Sequence, residues 1–285
     1  MESLHEWHGK GQTFSFKGHE IFYRTDGDAT LPTLVLIHGF PTCSWDWAKI
    51  WDQLLPHFHL VTLDMLGFGF SDKPKQNYSI FTQADIFDAL LQHLNISQYH
   101  ILAHDYGDTV AQELLARHHA AGHIQSVVLS NGGLFPETHH PVLVQKLLLS
   151  PLGFLITKLF NYQKFKRNFD HICAKRLSNE ELTGYWNMLQ YKGGVHIMHK
   201  LIAYMTERKQ QRERWVGVLQ QTQVPLRLID GTLDPISGAH MVARYKELIQ
   251  SADVVELNDT GHYPQVESPE AFAQATLDFL LIHSE

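Results

Sequence analysis

One octapeptide limits the fold more than any other stretch: Ile101-Leu102-Ala103-His104-Asp105-Tyr106-Gly107-Asp108. The apolar run over 99–103 spells a short buried strand, and 109–117 has helical spacing. Between them the chain must reverse within a small-x-acid-x-Gly turn. A strand-turn-helix this tight is the layout of a nucleophile elbow, which holds one side chain out for attack. The usual form is Gly-x-Ser-x-Gly; here Asp105 fills the central slot and Ala103 replaces the first Gly. Such a turn drives its central residue toward positive φ, which Asp tolerates better than most residues. Gly107 lets the helix pack close to the strand. The same residues also spell an acidic N-cap after a strand, so the rest of the chain has to decide between the two.

Read in order, the chain opens with alternating stretches at 13–16 and 20–24 around Lys17-Gly18-His19, the pattern of a hairpin. A continuous apolar run at 33–37 predicts a strand covered on both faces. It ends in His38-Gly39-Phe40-Pro41, and an amphipathic helix is expected over 44–55. A strand at 59–63 leads to the Gly-rich loop 64–74. A helix follows at 80–94 with Ser79 as N-cap, then the elbow unit and a strand at 124–130. Strands alternating with helices imply right-handed crossovers and a mostly parallel sheet. Ligands in such sheets sit beyond the carboxyl ends of the strands, where His38, Asp105 and Asn131 all fall.

The alternation stops over 134–215, where helices are expected at 142–149, 155–160, 179–189 and 195–206. This predicts a core in two parts, 1–133 and 216–285, interrupted by an all-helical lid. The strand pattern resumes at 224–229 and ends in Asp230-Gly231-Thr232-Leu233-Asp234. A helix at 239–249, a strand at 254–257, the loop Asp259-Thr260-Gly261-His262 and a helix at 269–281 close the chain. At 285 residues and 44% hydrophobic content, one such domain can bury a full core.

Asp105, Asp234 and His262 thus stand at three strand ends in the order nucleophile, acid, base. The stretches His38-Gly39-Phe40-Pro41-Thr42, 66–74, 104–115, 129–139 and Arg214-Trp215-Val216-Gly217 resemble the branch of the α/β-hydrolase superfamily that contains epoxide hydrolases and haloalkane dehalogenases, and within it the mesoderm-specific transcript family. That resemblance implies an α/β-hydrolase fold, with a mostly parallel sheet flanked by helices. It also implies catalytic Asp105, Asp234 and His262, and an oxyanion hole made by the backbone N–H groups of Phe40 and Tyr106. Asp230 competes with Asp234 for the acid role, and Asn131 is a second group that could orient the base.

The chemistry follows from the residue type. A carboxylate is ionised at neutral pH and needs no base before it attacks. Attack on a carboxylic ester would give an anhydride, so Asp suits alkyl electrophiles such as epoxides and alkyl halides. His262 would then activate a water to hydrolyse the alkyl ester. An opening epoxide needs a proton donor. The resemblance to epoxide hydrolases points to Tyr204 as leaving-group acid, with Tyr162, Tyr185 and Tyr191 as other phenols and Trp186 as a halide donor in the alternative reading. A third reading is a hydrolase-derived binding or signalling protein with little turnover.

The partner expected is a small apolar substrate. A net charge of −7 argues against nucleic acid as a partner, since phosphate binding needs a basic stripe. No metal or cofactor is expected. Two distant cysteines, a polar N-terminus and the lack of a membrane-length apolar run predict a cytoplasmic protein. The apolar stretch 147–160 could dock on lipid. Pro151 and Gly153 break its periodicity, and a lid-and-entrance role is preferred.

Overall fold

Aliphatic runs pair into one eight-stranded sheet in the computed structural model, which describes residues 2–284. Met1 and Glu285, the outer limits of the two expected core parts, lie outside the described residues. The strands are β1 (Gln12–Phe16), β2 (His19–Asp26), β3 (Thr33–Ile37), β4 (His59–Leu63), β5 (Tyr99–Ala103), β6 (Ile124–Leu129), β7 (Leu226–Gly231) and β8 (Asp253–Leu257). They lie in the order β1-β2-β4-β3-β5-β6-β7-β8. The first two pairings are antiparallel and the rest parallel.

From β3 the chain crosses to β4 on one side and later to β5 on the other. The loops after β3 and β5 therefore part company and leave a crevice at that switch point. Ile37 and Ala103 are register partners at the last paired position, so the segments bearing Phe40 and Asp105 leave the sheet side by side. All five residues of β5 are buried, as a strand covered on both faces requires.

Fourteen α-helices are found among the described residues: α1 (Leu4–Gly9), α2 (Trp51–Leu54), α3 (Ile80–His93), α4 (Tyr106–His118), α5 (Leu143–Leu149), α6 (Gly153–Leu159), α7 (Tyr162–Ile172), α8 (Asn179–Gln190), α9 (Met198–Leu201), α10 (Tyr204–Gln210), α11 (Arg212–Gln221), α12 (Ala239–Leu248), α13 (Pro264–Glu267) and α14 (Pro269–Leu280). Helices α5 to α11 fill the chain between β6 and β7, with no strand among them.

Two expected helices are broken. Residues 44–55 form a 3-10 turn, Ser44–Trp47, and then the short α2. Every residue of that turn is buried, so packing on all sides overrides an amphipathic pattern. The Ser44 N–H is tied to Asp64 Oδ1 at 2.8 Å, and Ser44 Oγ accepts from Trp7 Nε1 at 3.1 Å. The stretch 195–206 divides into the end of a 3-10 segment, α9 and the start of α10. Here Ala203 and Met205 donate to the carbonyls three residues back, Lys200 at 3.3 Å and Ile202 at 3.1 Å, which ends one helix and starts the next.

Four helices lie outside the expected set: α1, α7, α11 and the single-turn α13. Helix α1 carries a Ser3/Glu6 capping box, and α7 has Asn161 accepting from the Lys164 N–H at 3.1 Å before buried Phe165, Phe169 and Ile172. Helix α11 buries Trp215, Val216, Val218 and Leu219. Cap and periodicity were both present for α1 and α7.

Candidate active site

The elbow is pinned by both neighbouring strands. The His104 N–H donates to the Ile37 carbonyl and the Asp105 N–H to the Ser130 carbonyl, each at 3.0 Å. Asp105 adopts φ +49° and ψ −105°, a strained conformation that over-determined surroundings must hold. Gly107 lies hard against the end of β3. A Cβ there would sit 2.2 Å from the Ile37 carbonyl oxygen and 2.7 Å from that of His38, and neither backbone atom can yield. Gly107→Ala should therefore destabilise the protein by about 3 kcal/mol. The test is the urea midpoint, and an unchanged midpoint would refute the close approach.

The Asp105 carboxyl is buried and receives the Phe40 N–H on Oδ2 at 3.0 Å. The Tyr106 N–H faces the same carboxyl. Burial pushes this carboxyl above the usual range, against the pull of His262, Arg208 and the two N–H groups.

Asp234 and His262 meet behind it. His262 Nδ1 is 2.7 Å from Asp234 Oδ2, which also accepts from Ser237 Oγ at 2.9 Å and Asn131 Nδ2 at 3.1 Å. The other oxygen takes the Ile236 N–H at 2.8 Å. Burial alone would raise this carboxyl, but the imidazole and these donors hold it below the usual range. Burial likewise opposes charging His262, yet Asp234 and then Asp105 bring it up to about 9. Asp230 stands apart. Neither of its oxygens has a partner among the described residues, and burial, then Asp234, push it well above the carboxylate range. Asn131 touches Asp234 and makes no hydrogen bond to His262 among the described residues.

The loop carrying His262 is bolted down on two sides. Glu267 accepts the N–H groups of Gly261 at 3.0 Å and Tyr263 at 2.9 Å, and also those of Ala174 at 2.7 Å and Lys175 at 2.9 Å, just past α7. The His262 N–H donates to the Ile172 carbonyl at 3.0 Å. His104 Nε2 lies 2.6 Å from the His262 carbonyl. A carbonyl only accepts, so His104 is the donor there. Burial, then His262, lower the His104 pKa to about 3, which keeps its ring neutral.

From the helical stretch, the break before α10 turns Tyr204 inward. Its ring packs 4.7 Å from that of Tyr106 and 6.3 Å from that of Phe40, and its hydroxyl has no partner among the described residues. Burial, then Asp105, push that phenol far above its ordinary pKa, so it stays protonated. Arg208 stacks on Tyr204 at 4.7 Å and gives two N–H groups to Thr109 Oγ1, at 2.9 and 2.7 Å. The other expected phenols stand elsewhere. Tyr185 packs on Trp45 and Phe169, Tyr162 reaches Thr183 at 3.5 Å, and Tyr191 is exposed. Trp186 sits among Phe160, Tyr162 and Phe165. A cavity of about 30 Å³ touches Phe40, Ile236 and His262 on the core side and Leu148, Phe160 and Phe165 on the helical side.

The alpha/beta hydrolase fold family matches residues 32–269. The chain belongs to the α/β-hydrolase fold family. Among its relatives, the mesoderm-specific transcript homolog protein of Bos taurus is 43% identical over 297 residues, covering 98% of this chain and 88% of that protein. LipZ of Mycobacterium tuberculosis (strain ATCC 25618 / H37Rv) is 37% identical over 288 residues, 98% of each chain. Among solved structures, the haloalkane dehalogenase DbeA from Bradyrhizobium elkani USDA94 superposes with a TM-score of 0.84 at 22% identity, over 96% of this chain and 98% of that one.

The elbow follows β5, an inner strand of the sheet. Several groups in this α/β-hydrolase were not singled out for the site by sequence reading. Arg208, which stacks on Tyr204, has no local mark in the sequence. Ser237, Thr109 and Glu267 carry no motif: besides its local bond to Asp234, Ser237 Oγ donates to the Asn131 carbonyl, Glu267 reaches back to Ala174, and Thr109 meets Arg208 ninety-nine residues on. Asp108 takes the Ser130 N–H at 3.1 Å.

Proposed function

We propose that this protein is a hydrolase whose Asp105 carboxylate attacks a saturated carbon of an apolar epoxide, and whose 134–215 stretch is an inserted helical lid over the 1–133 and 216–285 core. The observation that carries the reading is a buried carboxyl at the elbow, facing the N–H groups of Phe40 and Tyr106, with a His262–Asp234 pair behind it.

In the first step Asp105 forms a C–O bond, the epoxide C–O bond breaks, and the Tyr204 proton passes to the departing oxygen. An alkyl ester and a tyrosinate result. In the second step His262 takes a proton from water, and the hydroxide adds to the ester carbonyl. The Phe40 and Tyr106 N–H groups stabilise the oxyanion, with one such donor worth about 3 kcal/mol. Collapse releases a diol and the carboxylate, and the proton on His262 restores the phenol through solvent. The charge arrangement suits this order. Asp105 helps keep His262 charged before the reaction. Esterification removes that negative charge, which lowers the pKa of His262 and frees it to act as base.

A haloalkane dehalogenase-like hydrolase is the second reading, favoured by the superposition on DbeA. Tyr204 separates the two, since a halide leaves without a proton. Tyr204→Phe should slow epoxide opening by roughly 10²-fold or more while sparing halide displacement. Diol formation and halide release, measured on matched substrates, check this; equal loss on both removes Tyr204 from the acid role.

A further inference from the structure

The exposed large apolar side chains of the described residues are concentrated in one short stretch. Seven of the eleven large hydrophobic residues exposed among the described residues fall between 143 and 159. Leu143 is 71% exposed and Leu159 64%, with Leu152, Phe154 and Leu155 between them. They belong to α5, α6 and their connection, two short helices that pack on each other and on α9. Patches of this kind on a soluble surface mark a partner.

Charge says which partner. Residues 138–169 contain five basic residues, Lys146, Lys158, Lys164, Lys166 and Arg167, and no Asp or Glu. The whole chain is at −7, so this sign is local. None of the five pairs with a carboxylate among the described residues. Exposed leucines in one stretch with cations that pair with no carboxylate match an anionic bilayer, with an apolar interior beneath negative headgroups. A second copy of this face would bring its own cations against them.

The patch also leads inward. An apolar groove of about 410 Å³ runs along it, with Ile156 and Leu159 in its wall and Lys164 and Arg167 at its rim. It shares Val142, Val144, Phe160 and Asn168 with the small cavity that touches His262 and Phe40.

We infer that the α5–α6 face docks on an anionic phospholipid surface and that the groove takes an apolar substrate from the bilayer toward Asp105. The docking stands on the surface alone; the delivery of substrate rests on the function proposed above. No helix among the described residues is long and apolar enough to cross a membrane, so the contact is peripheral.

Vesicle co-sedimentation of the full chain tests this. The protein should pellet with vesicles of phosphatidylcholine mixed with phosphatidylserine, far less with phosphatidylcholine alone, and salt should weaken the binding. Lys158→Gln with Lys166→Gln and Arg167→Gln should weaken partitioning on the order of 100-fold. Leu143→Ser with Leu159→Ser should weaken it roughly 10-fold or more. Both sets lie on the surface, and an unchanged melting temperature establishes that each variant is folded. The inference is overturned if the protein ignores both vesicle types, if neither variant set alters binding, or if the leucine pair instead dissociates a dimer that binds no vesicle. Sedimentation needs no turnover. A protein that binds vesicles and hydrolyses no epoxide keeps the docking and loses the proposed reaction. One that hydrolyses a soluble epoxide and ignores vesicles does the reverse.

Discussion

His262→Gln is expected to stop the reaction halfway and leave the substrate bonded to Asp105. The first step uses only the carboxylate and the leaving-group acid, and the substitution replaces neither. The second needs a base, and a Gln amide cannot take a proton from water. Steady-state turnover should fall by about 10³ to 10⁴-fold, the range for loss of a positioned base, while a single turnover still occurs. Intact mass read after incubation shows the trapped species and names its chemistry. An epoxide adds its whole mass, because ring opening expels nothing. A haloalkane adds its mass less that of the hydrogen halide. A ligand that raises the melting temperature yet adds no mass would instead mark a binding protein with a retained triad. Full steady-state turnover in the variant would remove His262 from the base role.

Asp105→Asn should abolish turnover and stabilise the fold at the same time. An amide in the nucleophile slot leaves no carboxylate to attack, and loss of a nucleophile costs at least about 10⁴-fold. Asn accepts positive φ about as readily as Asp, so the strained elbow survives. The gain in stability follows from burial, which raises the Asp105 carboxyl above its unfolded-state value despite His262, Arg208 and two N–H groups. A carboxyl whose folded pKa lies above the unfolded one favours folding most when protonated, at low pH. That contribution is lost as pH rises through the unfolded and then the folded value. The variant should therefore melt higher than the parent near neutral pH, with the gap closing as pH falls below both values. A lower melting temperature at neutral pH would mean that the ionised carboxylate holds the site together.

Much of this arrangement was legible from residue order alone. The 99–103 run, the elbow spacing and the strands at 33–37 and 124–130 predicted the centre of the sheet, because a strand buried on both faces has little choice of composition. The nearness of Asp234 and His262 was legible because both follow strands that end on the same edge. Breaks in helices were not. Ser44–Trp47 and the 195–206 stretch are packed on several sides, so their apolar spacing no longer reports a period. Arg208 escaped notice in the site because nothing local distinguishes a cation that stacks on Tyr204 from one in water. The exposure of Leu147, Leu149, Leu152, Leu155 and Leu159 beside buried Leu148 could not be read either, since an apolar residue at a groove and one in a core are spelled alike.

Glu267 gathers four N–H groups, two from the turn around His262 and two from the residues just after α7. The turn that carries His262 and the chain just past α7 are thereby stapled through one side chain. Swinging residues 172–175 away would strip that carboxylate of two donors and loosen the turn that holds the imidazole. On the function proposed above, an opening that admits a guest while the His262–Asp234 contact stays intact takes place at the far eave, along α5 and α6, with the staple serving as the fixed jamb.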